Sequence, residues 1–203
     1  MSLPPAQVAA SASAWNVANG LTVLRLVLVP VFLTVLLHDE GTDPVWRVLA
    51  FVAFAVASVT DRVDGELARR RGIVTDFGKI ADPIADKALV GAALIGLSAL
   101  GELPWWVTAV VLAREVAVTA LRLVVIRHGV MPASRGGKVK TLLQSVAIGL
   151  LVLPTEGWVN TAALSVMAVA VVVTVATGVD YVLRAMTLRR TSARAEARRA
   201  LRP

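Results

Sequence analysis

Apolar residues along this chain gather into six runs separated by short polar connections. The runs cover about residues 21–37, 45–60, 80–100, 104–126, 141–153 and 158–183. Several are shorter than the roughly 20 residues that a helical span needs. The second and fifth reach that length only through their flanks: the second helix continues into the polar stretch after Thr60, and the fifth begins near Lys138. Lipid offers no partner to an open strand edge, so all six are expected as α-helices. The pattern predicts an all-α integral membrane protein with six transmembrane helices.

The connections alternate in charge. HDEGTDPVWR, LGELP and PTEGW, after the first, third and fifth runs, contain acids and a lone arginine, Arg47. The other two contain Arg62, Arg69, Arg70, Arg71 and Lys79, then Arg127, Arg135, Lys138 and Lys140. Basic connections stay in the cytoplasm. An even number of spans then places both termini there, in agreement with seven arginines from Arg184 to Arg202.

Composition points the same way. Of 203 residues, 57% are hydrophobic, with a mean hydropathy of +0.72; a soluble domain is nearer roughly 45–50% apolar. The net charge of +7 is weighted towards the tail. No aromatics are interleaved with its arginines, so a solvated or lipid-facing cytoplasmic tail is expected and a nucleic-acid partner is not. The absence of cysteine excludes disulfides and thiolate ligands, and His38 and His128 are isolated. The first twenty residues hold no Lys or Arg, which argues against a cleaved signal peptide. Three parts are expected: a loose Ala, Ser and Pro-rich segment over 1–15, one six-helix domain over 16–186, and a basic cytoplasmic tail over 187–203.

Candidate chemistry concentrates between the second and third runs, in DRVDGELARRRGIVTDFGKIADPIADK from Asp61 to Lys87. Asp61 and Asp64 are three apart, and Asp82 and Asp86 four apart, so each pair projects from one helix face. Ala68 lies one turn after Asp64, and Gly78 one turn before Asp82. Two facing antiparallel helix ends would bring the four carboxylates together at the membrane surface. Such anions repel strongly unless cations neutralise them. An oxygen-only ligand set suits Mg²⁺ or Mn²⁺ rather than zinc. Two ions about 3.5–4 Å apart can share such ligands and clamp a displacement at phosphorus. A carboxylate left partly free of metal can take a proton from an attacking hydroxyl. Gly65, Ala68 and Gly78 let a base or a phosphate approach the backbone, and Arg69 offers a fork of donors. Two aspartates at a helix end also serve as caps or as partners for Arg62 and Arg69–Arg71. That simpler role explains one pair, but not eight positions in register.

Those eight positions, D-x2-D-G-x2-A-R-x8-G-x3-D-x3-D, match the signature of the CDP-alcohol phosphatidyltransferases without gap or substitution. The resemblance implies an integral membrane enzyme that moves a phosphatidyl group from a CDP-linked lipid to an alcohol and releases CMP. It further implies a six-helix fold, two divalent metal ions, a cytosol-facing site and a homodimer. By position, Asp61, Asp64, Asp82 and Asp86 resemble the metal ligands, with Asp86 as the base. Asp64, Gly65, Ala68, Arg69 and Gly78 resemble the positions around the cytidine diphosphate.

Further segments resemble the branch that uses glycerol 3-phosphate, the phosphatidylglycerophosphate synthases: NVANGLTVLRLVLVPVF, FGKIADPIADK, ARE at Ala113 to Glu115, and PASRGGKVKTLLQ from Pro132 to Gln144. CDP-diacylglycerol and glycerol 3-phosphate are then the expected substrates. The basic residues agree, because a phosphate on the acceptor calls for a cationic cluster. Arg114 and Arg122 lie two turns apart on the fourth run; Lys138 and Lys140 open the fifth; Ser134 could add a hydroxyl. The lysines equally suit an interfacial anchor, and Arg114 an ion pair with Glu115 or an aspartate. Asn16, Asn19, Thr22 and Arg25 either orient the first helix or touch the nucleotide. Inositol phosphate and phosphatidylglycerol (cardiolipin synthesis) are alternative acceptors. A divalent-cation transporter would also need carboxylates in the membrane, but here they lie near one surface. A CDP-lipid-binding regulator without turnover would not need all four aspartates.

Overall fold

The computed structural model describes residues 17–71, 76–125 and 135–200. Among them are six α-helices: α1 (Val17–Leu36), α2 (Pro44–Arg71), α3 (Asp76–Ala99), α4 (Trp105–Val125), α5 (Arg135–Val152) and α6 (Trp158–Ala200). The described residues contain no strand. Helix α2 runs unbroken from its apolar half into the aspartate stretch, and α5 starts three residues ahead of Lys138. Helix α6 outlasts its apolar run by nearly five turns, through an Arg and Ala-rich segment of high helix propensity.

The path up and down the bundle can be read from one side chain. Arg47, in the first turn of α2, is buried. It donates from Nε to the Val152 carbonyl at 2.8 Å and from Nη2 to the Leu151 carbonyl at 2.6 Å. Its Nη1 reaches Glu102 Oε1 at 3.0 Å and the Gly41 carbonyl at 3.3 Å. The connections α1–α2, α3–α4 and α5–α6 therefore meet at one end of the bundle. The guanidinium also satisfies carbonyls that the last turn of α5 leaves without partners. The turn at this end is tight: Asp39, Glu40 and Gly41 have φ of 50°, 55° and 71°. Tryptophans mark the same end. Trp46 packs against His38 in a tilted arrangement with ring centroids 4.2 Å apart, and exposed Trp105, Trp106 and Trp158 open α4 and α6.

Inside, Phe32, Leu36, Phe54, Leu94, Leu97, Ile148 and Leu151 form the core with small Ala50, Ala57 and Ala93 between them. Helix α1 packs on α2 and α3, and α6 on α5 and α4. Gly96 sets the α1–α3 approach, since a Cβ there would come within 2.8 Å of Leu36 Cδ2. Large apolar side chains also cover the outside, including Val27 and Val31 on α1, Val52 and Val59 on α2, and Val172 and Val179 on α6. Among the described residues one stretch, Trp158–Thr187, is by length and composition long and apolar enough to cross a membrane. Only 28% of its most apolar window is buried, so it turns mostly away from the core. The apolar stretches Gly20–Leu36 and Pro44–Thr60 are shorter.

Candidate active site

The end of the bundle opposite Arg47 carries the aspartate stretch. Asp61, Asp64, Gly65, Ala68 and Arg69 lie on the last three turns of α2, and Gly78, Asp82 and Asp86 on the first three turns of α3. The two helices pack against each other. Of the eight signature positions, Asp86 alone has a described side chain; those of the other seven lie outside the described residues, as do the side chains of Asn19 and Arg122 and the whole of Asn16 and Ser134. Among the described residues no three carboxylate or imidazole groups gather. The donor set offered by the four aspartates is carboxylate oxygen alone, which fits a hard divalent cation.

Asp86 opens onto a cavity of about 270 Å³ between α3, α4 and α5. Its polar wall is made by Asp86 and Lys87 of α3, Glu115 of α4, and Lys140, Thr141 and Gln144 of α5. Val90, Leu112 and Val116 supply apolar floor. Each helix contributes through its own period: Lys140 and Gln144 are one turn apart on α5, and both are buried. Lys140 donates from Nζ to Glu115 Oε1. Lys87 donates from Nζ to Thr119 Oγ1, which itself donates to the Glu115 backbone carbonyl at 2.7 Å. Two carboxylates and two ammonium groups thus face one small space.

Arg114 stands behind this wall rather than on it. Its Nη1 donates to Glu115 Oε1 at 3.0 Å, its Nη2 to Thr177 Oγ1 at 3.0 Å, and its Nε to the Thr174 carbonyl at 3.3 Å. The guanidinium therefore ties α4 to α6 and brackets Glu115 together with Lys140. Gly178 makes room for its stem, with an added Cβ meeting Arg114 Cγ at 3.2 Å. Of the expected acceptor-phosphate set, Lys140 lines the cavity, while Lys138 is exposed. Thr22 and Arg25 are buried on one face of α1. Lys87, Glu115 and Gln144 as cavity residues were not singled out by their sequence context. The available signal was the one-turn spacing of Glu115 with Thr119 and of Lys140 with Gln144 inside apolar helices, where polar side chains face the bundle interior.

A family model described as CDP-alcohol phosphatidyltransferase matches residues 15–176, from the start of α1 well into α6. The chain belongs to the CDP-alcohol phosphatidyltransferases. It is 59% identical over 180 residues to a probable phosphatidylglycerophosphate synthase of Mycobacterium tuberculosis, covering 89% of this chain and 86% of the relative. It is 42% identical over 149 residues to the CDP-diacylglycerol–glycerol-3-phosphate 3-phosphatidyltransferase of Bacillus subtilis, covering 68% of this chain and 77% of the relative. The Escherichia coli protein of that name is 37% identical over 173 residues, covering 82% and 93%. As a CDP-alcohol phosphatidyltransferase the chain is an enzyme of a membrane-bound family that uses divalent metals.

Proposed function

We propose that this phosphatidyltransferase moves the phosphatidyl group of CDP-diacylglycerol onto glycerol 3-phosphate, giving phosphatidylglycerophosphate and CMP. The cavity beside Asp86 carries the reading: Lys87 and Lys140 face it, and their ammonium groups are the charged donors that a phosphate-bearing acceptor needs and a neutral alcohol does not. The names of the Bacillus subtilis and Escherichia coli relatives point to the same acceptor.

In this reading Asp61, Asp64, Asp82 and Asp86 hold two divalent cations, Mg²⁺ or Mn²⁺. Ions held by those carboxylates would supply neutralising charge to the diphosphate and to CMP as it leaves. Gly65, Ala68 and Gly78 leave the backbone open to the nucleotide, and Arg69 donates to the diphosphate beside Asp64. Lys140 anchors the acceptor phosphate, with exposed Lys138 adding positive charge at the same end of α5. The acceptor hydroxyl then sits towards Asp86, which takes its proton as the oxygen attacks the lipid-side phosphorus. The new P–O bond forms as the bond to CMP breaks.

The enzyme acts as a six-span membrane protein, and a site that opens at the bilayer surface suits a donor with two acyl tails. Exposed tryptophans at the Arg47 end and basic residues at the other support an orientation with both termini and the site in the cytoplasm. The working form in the membrane is a homodimer.

The test is CMP release by the detergent-purified protein, given Mg²⁺, CDP-diacylglycerol and one acceptor at a time. Release with glycerol 3-phosphate is expected. Release only with inositol phosphate or phosphatidylglycerol reassigns the acceptor, and release with none overturns the reading.

A further inference from the structure

Gln144 is 3% exposed and stands on the cavity wall one turn beyond Lys140. Its Nε2 is buried without a hydrogen-bond partner. An orphaned amide is destabilising, and a methionine would fill similar volume without that penalty. Buried polar groups normally have partners, and on a residue that lines a cavity a side-chain rotation is enough to offer the unpartnered amide to what enters it.

We infer that Gln144 recognises the middle hydroxyl of the acceptor and selects phosphate monoesters of a vicinal diol. This rests on the reading of the cavity as the acceptor site. Lys140 and Gln144 are separated by one turn, about 6 Å along the helix axis, and project from the same face. A phosphate held at Lys140 therefore brings the adjoining carbon's hydroxyl towards the carboxamide, with the terminal hydroxyl directed across the cavity to Asp86 on α3. A hydroxyl both donates and accepts, so it can pair with the amide nitrogen as acceptor. A site built around such a bond rejects an analogue that lacks the hydroxyl, because the amide is then left orphaned again.

The experiment compares glycerol 3-phosphate with 3-hydroxypropyl phosphate, which keeps the phosphate and the reacting hydroxyl but lacks the middle one. The wild type should favour glycerol 3-phosphate at least about tenfold in kcat/KM. In Gln144→Met the preference should fall to about twofold or less, with KM for CDP-diacylglycerol unchanged and the melting temperature equal or higher. Gln144→Asn, which retracts the same amide by one methylene, provides a second variant and should also lose most of the preference. Release from glycerol 3-phosphate with the preference intact in both variants overturns this inference alone. No release by the wild type overturns the acceptor reading and this inference with it.

Discussion

Lys140 on α5 donates from Nζ to Glu115 Oε1 on α4, and the pair closes one wall of the cavity beside Asp86. Glu115 also accepts from Arg114, so it holds Lys140 in place without being left alone when Lys140 turns to a ligand. An acceptor phosphate would compete with Glu115 for that ammonium. Lys140→Met should raise KM for glycerol 3-phosphate at least about tenfold while leaving KM for the lipid donor unchanged. It should also lower stability by about 2 kcal/mol, the scale of one charged hydrogen bond. Lys140→Arg should recover part of the binding. Steady-state kinetics with each substrate varied in turn decides the matter, and an unchanged acceptor KM would make Lys140 a mere anchor of α5.

Arg114 should behave differently, because its three donor nitrogens serve Glu115, Thr177 and the Thr174 carbonyl. A lysine cannot reproduce a fork aimed in three directions. Arg114→Lys is expected to lower thermal stability by about 2 kcal/mol and to raise acceptor KM less than Lys140→Met does. The reverse order would place the guanidinium on the acceptor phosphate.

Asp86 joins the aspartate stretch to the cavity. Asp86→Asn keeps the shape and removes the charge, so CMP release should fall roughly 10²-fold or more while the melting curve holds. Chelation of divalent ions should silence the wild type, and added Mg²⁺ or Mn²⁺ should restore it. Turnover that persists in chelator would contradict the metal assignment.

At the other end, Arg47→Met removes the donors to Leu151, Val152 and Glu102. It should cost about 3 kcal/mol, since buried carbonyls and a carboxylate lose their partner. Asp64 lies 17 residues along α2 from Arg47, about 25 Å along its axis, so both KM values should be untouched in the protein that remains folded. Melting in detergent beside steady-state kinetics separates the two effects.

Much of this was legible in the sequence, for reasons tied to particular residues. The six apolar runs located the helices because both the packed and the outward faces of this bundle are apolar over those stretches. Asp61 to Asp86 stood out because charge is rare in such helices. Arg47 gave no hint of its partners, since the carbonyls of Leu151 and Val152 are over a hundred residues away and carry no side-chain signature. Gln144 was equally silent: an amide in an apolar run reads the same whether it is paired or not, and only packing shows the cavity beside it. Helix α6 reaches Ala200 because Arg and Ala favour helix in water as well as in lipid, whereas the apolar run ended near residue 183.

The central claim concerns the product, and one measurement reaches it directly. Purified protein with Mg²⁺, CDP-diacylglycerol and radiolabelled glycerol 3-phosphate should move the label into the chloroform-soluble fraction, with one CMP released for each label incorporated. CMP released without labelled lipid, or no CMP at all, would contradict phosphatidyl transfer to glycerol 3-phosphate.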